Sequence, residues 1–276
     1  MPIDSSVALI TGGGRGLGRA FAIALAQHGV NVAVTGRTET EIRATAHEIA
    51  ESGGRAIAIS GDITDRQTVE QTVARTEAEL GPIDLLINNA GMLRALGVVA
   101  AIDADDWWRE VEVNLRGPLL YAKAVLPGMI DRRRGRIINV ASGAGLQAIA
   151  TASAYCVSKA ALIRLSETIA LETGAYGIAT FAIHPGTVRT PMNAYLHDAE
   201  AVGRSAPEVQ QWFRQLYAEG KDTPIERSVE LVLTLASGRA DALSGCFLDV
   251  HNDIDAFIAD AEAIQRGERL RMRLCD

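Results

Sequence analysis

A tyrosine and a lysine one helical turn apart are the residues best suited to acid–base chemistry in this chain. Tyr155 and Lys159 are four residues apart in a predicted helix, so their side chains lie on one face. A free phenol titrates at about pH 10, and a neighbouring ammonium group favours its phenolate form. Ser142, at the end of a predicted strand, can donate a hydrogen bond to an oxygen that gains negative charge. Asn114 is polar among apolar neighbours, and each of these four residues alone also has an ordinary structural explanation.

A glycine-rich turn follows the first predicted strand and leads directly into a helix. Residues 11–18 (TGGGRGLG) contain the glycines that let a backbone turn tightly and approach a pyrophosphate at a helix N-terminus. Glycines alone are weak evidence, because any tight strand-to-helix turn favours them. Their position inside a strand–helix–strand unit predicts a nucleotide site.

The end of the second predicted strand indicates which nucleotide binds. An NAD site usually has a carboxylate there for the 2′-hydroxyl of the adenosine ribose, whereas a 2′-phosphate favours arginine. Gly36 stands where the acid would be, Arg37 follows it, and Arg15 in the glycine-rich turn can approach the same phosphate. Two solvated surface arginines are the alternative interpretation. We therefore expect NADP(H) as the cofactor.

Short apolar segments alternate with longer amphipathic ones along most of the chain, which predicts alternating strands and helices. Such units give a parallel sheet that helices cover on both faces. The predicted fold class is therefore α/β, a single-domain Rossmann-type doubly wound parallel sheet. The predicted strands are 7–10, 30–34, 55–60, 83–87, 137–140, 178–183 and 246–250, and the predicted helices are 17–28, 39–52, 66–80, 105–129, 154–173 and 254–266.

No linker rich in proline or serine divides the 276 residues. We expect one domain over residues 1–252, followed by a helical tail over residues 253–276. The segment 191–223 interrupts the alternation as a long connection of weak helical character with four aromatic residues. Long connections are often binding loops, so we expect this segment to form a lid over the substrate.

Composition excludes several classes of function. The 27 Lys and Arg residues against 34 Asp and Glu residues leave a net charge of −7, without the positive face that a nucleic-acid partner requires. No apolar run reaches the roughly 18 residues that span a bilayer, so no membrane partner is expected. The three cysteines are far apart, which is typical of a cytoplasmic protein without disulfides. His251, Asp253 and Asp255 match no usual ligand spacing, so no metal is expected.

Together the motifs resemble the short-chain dehydrogenase/reductase family over about residues 5 to 250. The tyrosine–lysine pair alone is a weak signal, whereas the full set in this order is specific. The chain departs from the family after the last predicted strand, where His251-Asn252-Asp253 replaces a glycine-rich end. The motifs present are Thr11-Gly12-x-x-x-Gly16-x-Gly18, Asp62, residues 88–91 (NNAG), Asn114, Ser142, Tyr155-x-x-x-Lys159 and Pro185-Gly186.

The resemblance implies a role for each residue. Tyr155 would exchange a proton with the substrate oxygen, and Lys159 would supply the ammonium group and hold the nicotinamide ribose. Ser142 would donate to the carbonyl oxygen, and Asn114 would support a water that links Lys159 to solvent. The implied cofactor contacts are Gly12, Arg15, Gly16, Leu17 and Gly18 at the pyrophosphate, Arg37 and Thr38 at the 2′-phosphate, Asp62 and Ile63 at the adenine, Asn89, Ala90 and Gly91 beneath the ribose, and Pro185, Gly186, Val188 and Thr190 beside Tyr155 and Lys159 at the nicotinamide.

The implied function is that of an NADP(H)-dependent oxidoreductase that interconverts a ketone and a secondary alcohol by hydride transfer. The small apolar loop after Ser142 and the aromatic residues of the lid favour a small neutral or apolar substrate. Two alternatives stay open. One is a carrier-protein-linked 3-ketoacyl reductase of fatty-acid or polyketide type, and the other is a non-catalytic NADP-binding regulator.

Two predicted helices also indicate self-association. Helices 105–129 and 154–173 carry apolar residues on more than one stripe, whereas a helix that covers a sheet needs only one. Together with the family resemblance, this predicts a homotetramer, with a dimer as the alternative.

Overall fold

A parallel sheet of seven strands crosses the protein in the order β3-β2-β1-β4-β5-β6-β7. The structure, a computed structural model, describes Ile3 and residues 6–273. Strand order and direction confirm the predicted Rossmann-type α/β fold. The strands are β1 (Val7–Thr11), β2 (Asn31–Gly36), β3 (Ala56–Ser60), β4 (Leu85–Asn88), β5 (Gly135–Val140), β6 (Ile178–His184) and β7 (Phe247–Asp249).

Helices cover both faces of the sheet. They are α1 (Gly16–Gln27), α2 (Glu39–Glu51), α3 (Arg66–Leu80), α4 (Ala104–Val111), α5 (Gly117–Arg132), α6 (Ser153–Thr173), α7 (Pro191–Asp198), α8 (Glu200–Ser205), α9 (Pro207–Ala218), α10 (Ile225–Ala236), α11 (Ile254–Ala259) and α12 (Ala261–Arg266). Alternate strand residues point to opposite faces, so Ile10 packs with α1, α2 and α10 while Leu9 packs with α3 and α5. Among the described residues, no helix is long and apolar enough to cross a membrane.

The strand order reverses between β1 and β4, which pair although they are far apart in the chain. The chain leaves these two strands toward opposite sides of the sheet, so a crevice opens where their carboxyl ends meet. Thr11 ends β1 and Asn88 ends β4. The glycine-rich turn and the NNAG segment therefore meet at this crevice.

The helix predicted over residues 105–129 is longer than expected and is interrupted. Between α4 and α5, the segment Glu112–Arg116 forms a π-helical turn that contains Asn114. Pro118 lacks the N–H group that would donate to the carbonyl of Asn114 in a regular α-helix, so a wider turn is tolerated there. The apolar spacing did not predict this interruption, because a π turn shifts the helical pattern by only one residue.

The segment 191–223 is more helical than its sequence pattern predicts, since most of it forms α7, α8 and α9. Pro191 and Pro207 lie in the first turns of α7 and α9, where a helix has no partner for an N–H group anyway. Thr190 caps α7 by accepting a hydrogen bond from the N–H group of Asn193 at 3.4 Å. These three short helices share an apolar cluster with Leu93.

The C-terminal segment lies against β7 and α6. The helix predicted over residues 254–266 is divided at Asp260 into α11 and α12. Beyond it, the N–H group of Phe247 donates to the carbonyl of Leu270 at 2.8 Å, and Arg273 pairs with Glu167 of α6 at 2.6 Å. The basic tail thus covers the edge strand of the sheet, while residues 274–276 of the predicted tail, including Cys275, lie outside the described residues.

Candidate active site

A cavity of about 670 Å³ opens at the carboxyl edge of the sheet, over the crevice between β1 and β4. It extends from the glycine-rich turn to α7 and α9. Of the residues predicted for catalysis and cofactor binding, Asn114 and Gly18 do not line it. All the others do: Gly12, Arg15, Gly16, Leu17, Arg37, Thr38, Asp62, Ile63, Asn89, Ala90, Gly91, Ser142, Tyr155, Lys159, Pro185, Gly186, Val188 and Thr190.

The glycine-rich turn forms a cradle that side chains would fill. Gly12 and Gly16 have φ angles of 65° and 55°, in the left-handed region that favours glycine. A Cβ atom on Gly18 would lie 2.3 Å from the carbonyl oxygen of Gly12, so only glycine lets α1 pack this closely on the turn. The first N–H groups of α1 have no helical partners and favour an anion. The turn therefore fits a dinucleotide pyrophosphate.

Hydrogen bonds fasten the two loops of the crevice to each other. The Thr11 hydroxyl accepts from the N–H groups of Asn89 and Ala90, each at 3.0 Å. In return, the Asn89 amide donates to the carbonyls of Thr11 at 2.9 Å and Gly12 at 3.2 Å. Asn89 thus lines the cavity and also holds the glycine-rich turn. Thr11 is a positioning residue, a role that the sequence analysis did not assign to it.

The two arginines predicted to bind phosphate line the same end of the cavity. Arg37 forms no ion pair with any residue that the structure describes, whereas Arg15 pairs with Glu41 at 3.3 Å. Glu41 also lines this end, and sequence reasoning did not single it out. A phosphate bound here would meet two guanidinium groups and would compete with Glu41 for Arg15.

Asp62, just after β3, is held in its charged form. Its Oδ1 accepts hydrogen bonds from the N–H group and the hydroxyl of Thr64, at 2.9 and 2.7 Å. Partial burial works to raise the pKa of Asp62, but these bonds and the charges of Arg109 and Arg37 lower it overall. The carboxylate is therefore ready to accept from an amine, as the resemblance implies for the adenine.

Tyr155 and Ser142 meet in the middle of the cavity. Ser142 follows β5 and Tyr155 lies in the first turn of α6, so the sheet edge and the helix bring them together. The Ser142 hydroxyl accepts from the N–H group of Ala144 at 3.2 Å. Burial raises the pKa of Tyr155 to about 12. The interaction with Ser142 works to lower this pKa, but burial outweighs it, so the neutral phenol is favoured at neutral pH. A preference for the phenolate beside Lys159 and an oxidised nicotinamide stays a prediction.

Lys159 lies one turn after Tyr155 in α6. Its Nζ is 5.5 Å from the centroid of the Tyr155 ring and donates to the carbonyl of Val140 at 2.8 Å. The side chain is 4% exposed, and burial lowers the pKa of Lys159 to about 8. The lysine is still mostly an ammonium group at neutral pH, but it can release a proton far more readily than a lysine in water.

Asn114 lies behind the cavity wall and holds it in place. Its Oδ1 accepts from the N–H group of Met92 at 2.7 Å, and its Nδ2 donates to the Met92 carbonyl at 2.8 Å and the Ser158 hydroxyl at 3.1 Å. Gly91 lies against both Asn114 and Lys159, since a Cβ atom there would be 3.3 Å from Asn114 Oδ1 and 3.7 Å from Lys159 Nζ. Both hydrogens of the Asn114 amide are thus donated to protein partners, while its oxygen accepts one hydrogen bond. A relay water would therefore have to donate to Asn114, at the side-chain oxygen or at the backbone carbonyl.

Sequence reasoning missed two titratable residues beside the catalytic group. Glu110, one turn before Asn114, is fully buried and accepts two backbone hydrogen bonds. Its four-residue spacing from Asn114 on the buried side of the helix was the available signal. His184 ends β6 and lines the cavity; burial lowers its pKa although Asp249 works to raise it. Its position directly before the Pro185-Gly186 motif could have identified it.

The end of the cavity opposite the glycine-rich turn is mostly apolar. Glu208 is its acidic residue, and the lysine and arginine residues among the described lining residues are Arg15, Arg37 and Lys159, all outside this end. It is lined by Leu93, Gln147, Ile149, Ala150, Ala152, Met192, Glu208, Val209, Trp212 and Phe213.

Proteins with similar sequences or folds include dehydrogenases and reductases. The short chain dehydrogenase family model matches residues 6–201. A short chain dehydrogenase of Pseudocercospora fijiensis is 33% identical over 94% of this chain and 84% of that protein. The trans-4-hydroxycyclohexanecarboxylate dehydrogenase of Sinomonas cyclohexanicum is 35% identical over 90% and 92%, respectively. A variant of the actinorhodin polyketide ketoreductase, solved with NADPH, has a TM-score of 0.81 at 31% identity, covering 91% of this chain and 97% of that one.

Proposed function

This chain belongs to the short-chain dehydrogenase family, and on that premise we propose that it is an NADP(H)-dependent oxidoreductase that interconverts a ketone and a secondary alcohol. Enzymes of this family use a nicotinamide cofactor. The observation that carries the proposal is that Ser142, Tyr155 and Lys159 share one cavity with the glycine cradle. A substrate oxygen there would meet both a hydrogen-bond donor and a proton donor.

In the proposed reduction, the cofactor supplies the hydride and this chain's residues handle the proton and the charge. Tyr155 donates its phenolic proton to the carbonyl oxygen, and a pKa of about 12 keeps that proton available at neutral pH. Ser142 donates a hydrogen bond to the same oxygen while negative charge develops on it. The Lys159 ammonium group, with Nζ 5.5 Å from the ring centroid, stabilises the remaining phenolate.

We propose that Tyr155 regains its proton through Lys159. A pKa of about 8 lets the ammonium group release a proton close to neutral pH. The backbone carbonyl of Asn114 would support a water that returns this proton from solvent, while its side chain fixes Met92 and Ser158. In the oxidation direction the same groups would carry the proton the opposite way.

NADP(H) is proposed over NAD(H) because Arg37 lines the cavity without an ion-pair partner among the described residues, and because Arg15 lies at the same end. The structural neighbour solved with NADPH supports this choice. A dianionic 2′-phosphate would form charge-assisted bonds with both guanidinium groups. The other proposed cofactor contacts are Gly12, Gly16, Leu17 and Gly18 at the pyrophosphate, Thr38 at the phosphate, Asp62 and Ile63 at the adenine, Asn89, Ala90, Gly91 and Lys159 at the ribose, and Tyr155, Pro185, Gly186, Val188 and Thr190 at the nicotinamide.

The proposed substrate is a small neutral or apolar ketone or secondary alcohol. Its end of the cavity has apolar walls, and the lysine and arginine residues that line the cavity are already assigned to the cofactor and to catalysis, so none of them is left to bind a carboxylate or phosphate. Burial lowers the pKa of His184, which favours the neutral imidazole. The segment 191–223 is proposed to act as the lid over this end, within a domain of residues 1–252 that precedes the helical tail. A carrier-protein-linked 3-ketoacyl reductase is the second candidate, because a polyketide ketoreductase has a similar structure.

We also propose that the protein works in the cytoplasm as a homotetramer. Cys156 and Cys246 are unpaired, which suits a reducing compartment. Trp108, Leu119 and Leu171, on α4, α5 and α6, are 61%, 44% and 72% exposed, and such apolar residues favour a contact with a second copy. Light scattering at micromolar concentration should return a multiple of the 29.4 kDa chain mass, four for a tetramer or two for a dimer. The monomer mass would contradict self-association.

A panel of ketones tests the function. Free cyclic, aromatic and aliphatic ketones and a carrier-bound 3-ketoacyl thioester are each offered with NADPH and with NADH, and loss of the reduced cofactor's absorbance is followed. We expect turnover of free neutral ketones with NADPH. Turnover of the carrier-bound substrate alone would favour the second candidate. Tight NADPH binding without turnover of any substrate would favour the non-catalytic regulator, which the intact Ser142, Tyr155 and Lys159 argue against.

A further inference from the structure

Glu110 is a fully buried carboxyl group with no part in the proposed reaction. Its Oε2 accepts hydrogen bonds from the N–H groups of Arg94 at 2.6 Å and Ala95 at 2.9 Å. Its Oε1 is also buried and has no hydrogen-bond partner among the described residues. Holding the loop after β4, which contains Arg94 and Ala95, needs only one acceptor oxygen, and a glutamine amide would also provide one. Burial raises the pKa of Glu110, while the hydrogen bonds from Arg94 and Ala95 and the charge of Lys159 work to lower it. Since a buried charge without a partner is strongly unfavourable, a carboxylate at this position requires a further explanation.

That explanation lies in α6, which packs against α4. A hydrogen bond from Trp107 Nε1 to Ser153 Oγ at 3.0 Å joins the two helices. The charge of Glu110 works to raise the pKa of three groups on α6, namely Tyr155, Cys156 and Lys159. Lys159 is the cation among these three.

The other basic groups near Glu110 are directed elsewhere. The guanidinium of Arg94 lies over the ring of Tyr195, 3.4 Å from its centroid. Arg109, the neighbour of Glu110 in α4, points toward Asp62 at 3.6 Å. Lys159 is therefore the cation that remains for Glu110 to neutralise.

Lys159, for its part, needs a counter-charge. Its Nζ donates to the neutral carbonyl of Val140 at 2.8 Å, and its side chain is almost completely buried. Removing an ammonium group from water without a compensating anion favours the neutral amine. A carboxylate nearby opposes that loss, and Glu110 supplies one from the adjacent helix.

We propose that Glu110 is a positioning residue with two functions: its Oε2 fixes the loop after β4, and its negative charge keeps Lys159 an ammonium group inside the closed site. The two functions are linked, because Leu93 of the same loop packs in the apolar cluster beneath α7, α8 and α9. This inference rests on the proposed function only in so far as Lys159 serves catalysis. The counter-charge itself exists whether or not a ketone is the substrate.

The pKa of Lys159 can be measured directly because the chain has few lysines. Lys123, Lys159 and Lys221 are its only lysines, and the first and third are exposed. Nuclear magnetic resonance of protein with ¹³C-labelled lysine should therefore give three resolvable signals, and that of Lys159 should titrate at about pH 8 because burial lowers its pKa. In Glu110→Gln, whose amide oxygen still accepts from Arg94 and Ala95, the pKa of Lys159 should fall by about one unit, a tenfold change in proton affinity.

Glu112→Gln is the matched control, because it removes the same charge from the same helical segment and should leave the Lys159 titration unchanged. The pH profile of ketone reduction should shift in the same direction as the Lys159 titration. Without the Glu110 charge both Lys159 and Tyr155 lose their protons more easily, so the basic limb shifts to lower pH in Glu110→Gln and stays in place in Glu112→Gln. A Lys159 titration that is the same in Glu110→Gln and the unmodified protein overturns the proposal.

A measurement on the unmodified protein covers the case in which Glu110→Gln does not fold. With ¹³C-labelled glutamate, the Glu110 carboxyl should ionise at a lower pH than Lys159. A Glu110 carboxyl that is still protonated while Lys159 deprotonates would overturn the proposal that Glu110 supplies the counter-charge. If the Lys159 shift is found but no ketone is reduced, the proposed function fails and the inference about Glu110 stands.

Discussion

The two ends of the cavity are built in different ways. At the cofactor end, the cradle consists of backbone: glycines with positive φ, the first N–H groups of α1, and loops fastened through Thr11 and Asn89. At the substrate end, short helices meet through apolar side chains such as Leu196, Val202 and Phe213. A backbone cradle accepts few substitutions, whereas side chains can change without disturbing the sheet. The structure therefore separates a fixed cofactor end from an adaptable substrate end.

Charge follows the same division. Arg15 and Arg37 lie at the cofactor end, where an anion has to be held. The substrate end has apolar walls and, among its described lining residues, the carboxylate of Glu208 as its charge. Tyr155 and Ser142 lie between the two ends, so a change there should affect the chemistry and leave both binding ends intact.

The largest effect is expected from Tyr155→Phe, which tests that separation. The variant loses the proton donor and retains the ring, so turnover should fall by about a thousandfold while the Kd for NADPH stays nearly unchanged. Steady-state kinetics gives the first quantity and fluorescence titration of the cofactor gives the second. Tyr176→Phe, a change of the same type at an exposed tyrosine, should alter neither. A Tyr155→Phe protein that keeps most of its kcat would show that another group donates the proton.

How much of this comparison the sequence can predict depends on how local the interactions are. The glycine-rich turn and the Tyr155–Lys159 spacing involve neighbours in the chain, so they are visible in the sequence. The hydrogen bonds between Thr11 and Asn89 join residues 78 positions apart, and the one from Arg94 to Glu110 joins residues 16 positions apart. No periodic pattern in the sequence indicates either contact. The raised pKa of Tyr155 follows from burial, which exists only after the chain has folded.

The substrate end was the harder part to predict. Its helices are short, and their stability comes from packing on a shared apolar cluster, so helical periodicity over residues 191–223 is weak. The π turn around Asn114 was missed for a related reason, since the apolar pattern continues across it. Pro118 and the proline starts of α7 and α9 were the signals available in the sequence.

The next effect in size is expected at the cofactor end. In Arg37→Asp, a carboxylate replaces a guanidinium group beside the phosphate site, so NADPH should bind about ten- to a hundredfold more weakly and the preference over NADH should vanish or reverse. Dissociation constants for both cofactors measure this. Arg43→Asp makes the same charge change on the exposed surface of α2 and should leave the preference intact. Equal affinity of the unmodified protein for the two cofactors would refute the assignment.

The smallest effect is expected at the substrate end, from Trp212→Ala. Trp212 lines the cavity from α9 and packs edge-on against Phe213 with ring centroids 4.8 Å apart, yet half of its surface is exposed. Removing it takes contact area from a bulky ketone without reaching Tyr155 or the glycine cradle, so the KM for that ketone should rise about tenfold, roughly 1.4 kcal/mol. The kcat and the Kd for NADPH should change little, and Tyr176→Ala, at an exposed aromatic residue outside the cavity, should leave all three constants in place. If Trp212→Ala instead weakened NADPH as much as the ketone, the two ends would be coupled through α9, and the division between a fixed end and an adaptable end would not hold.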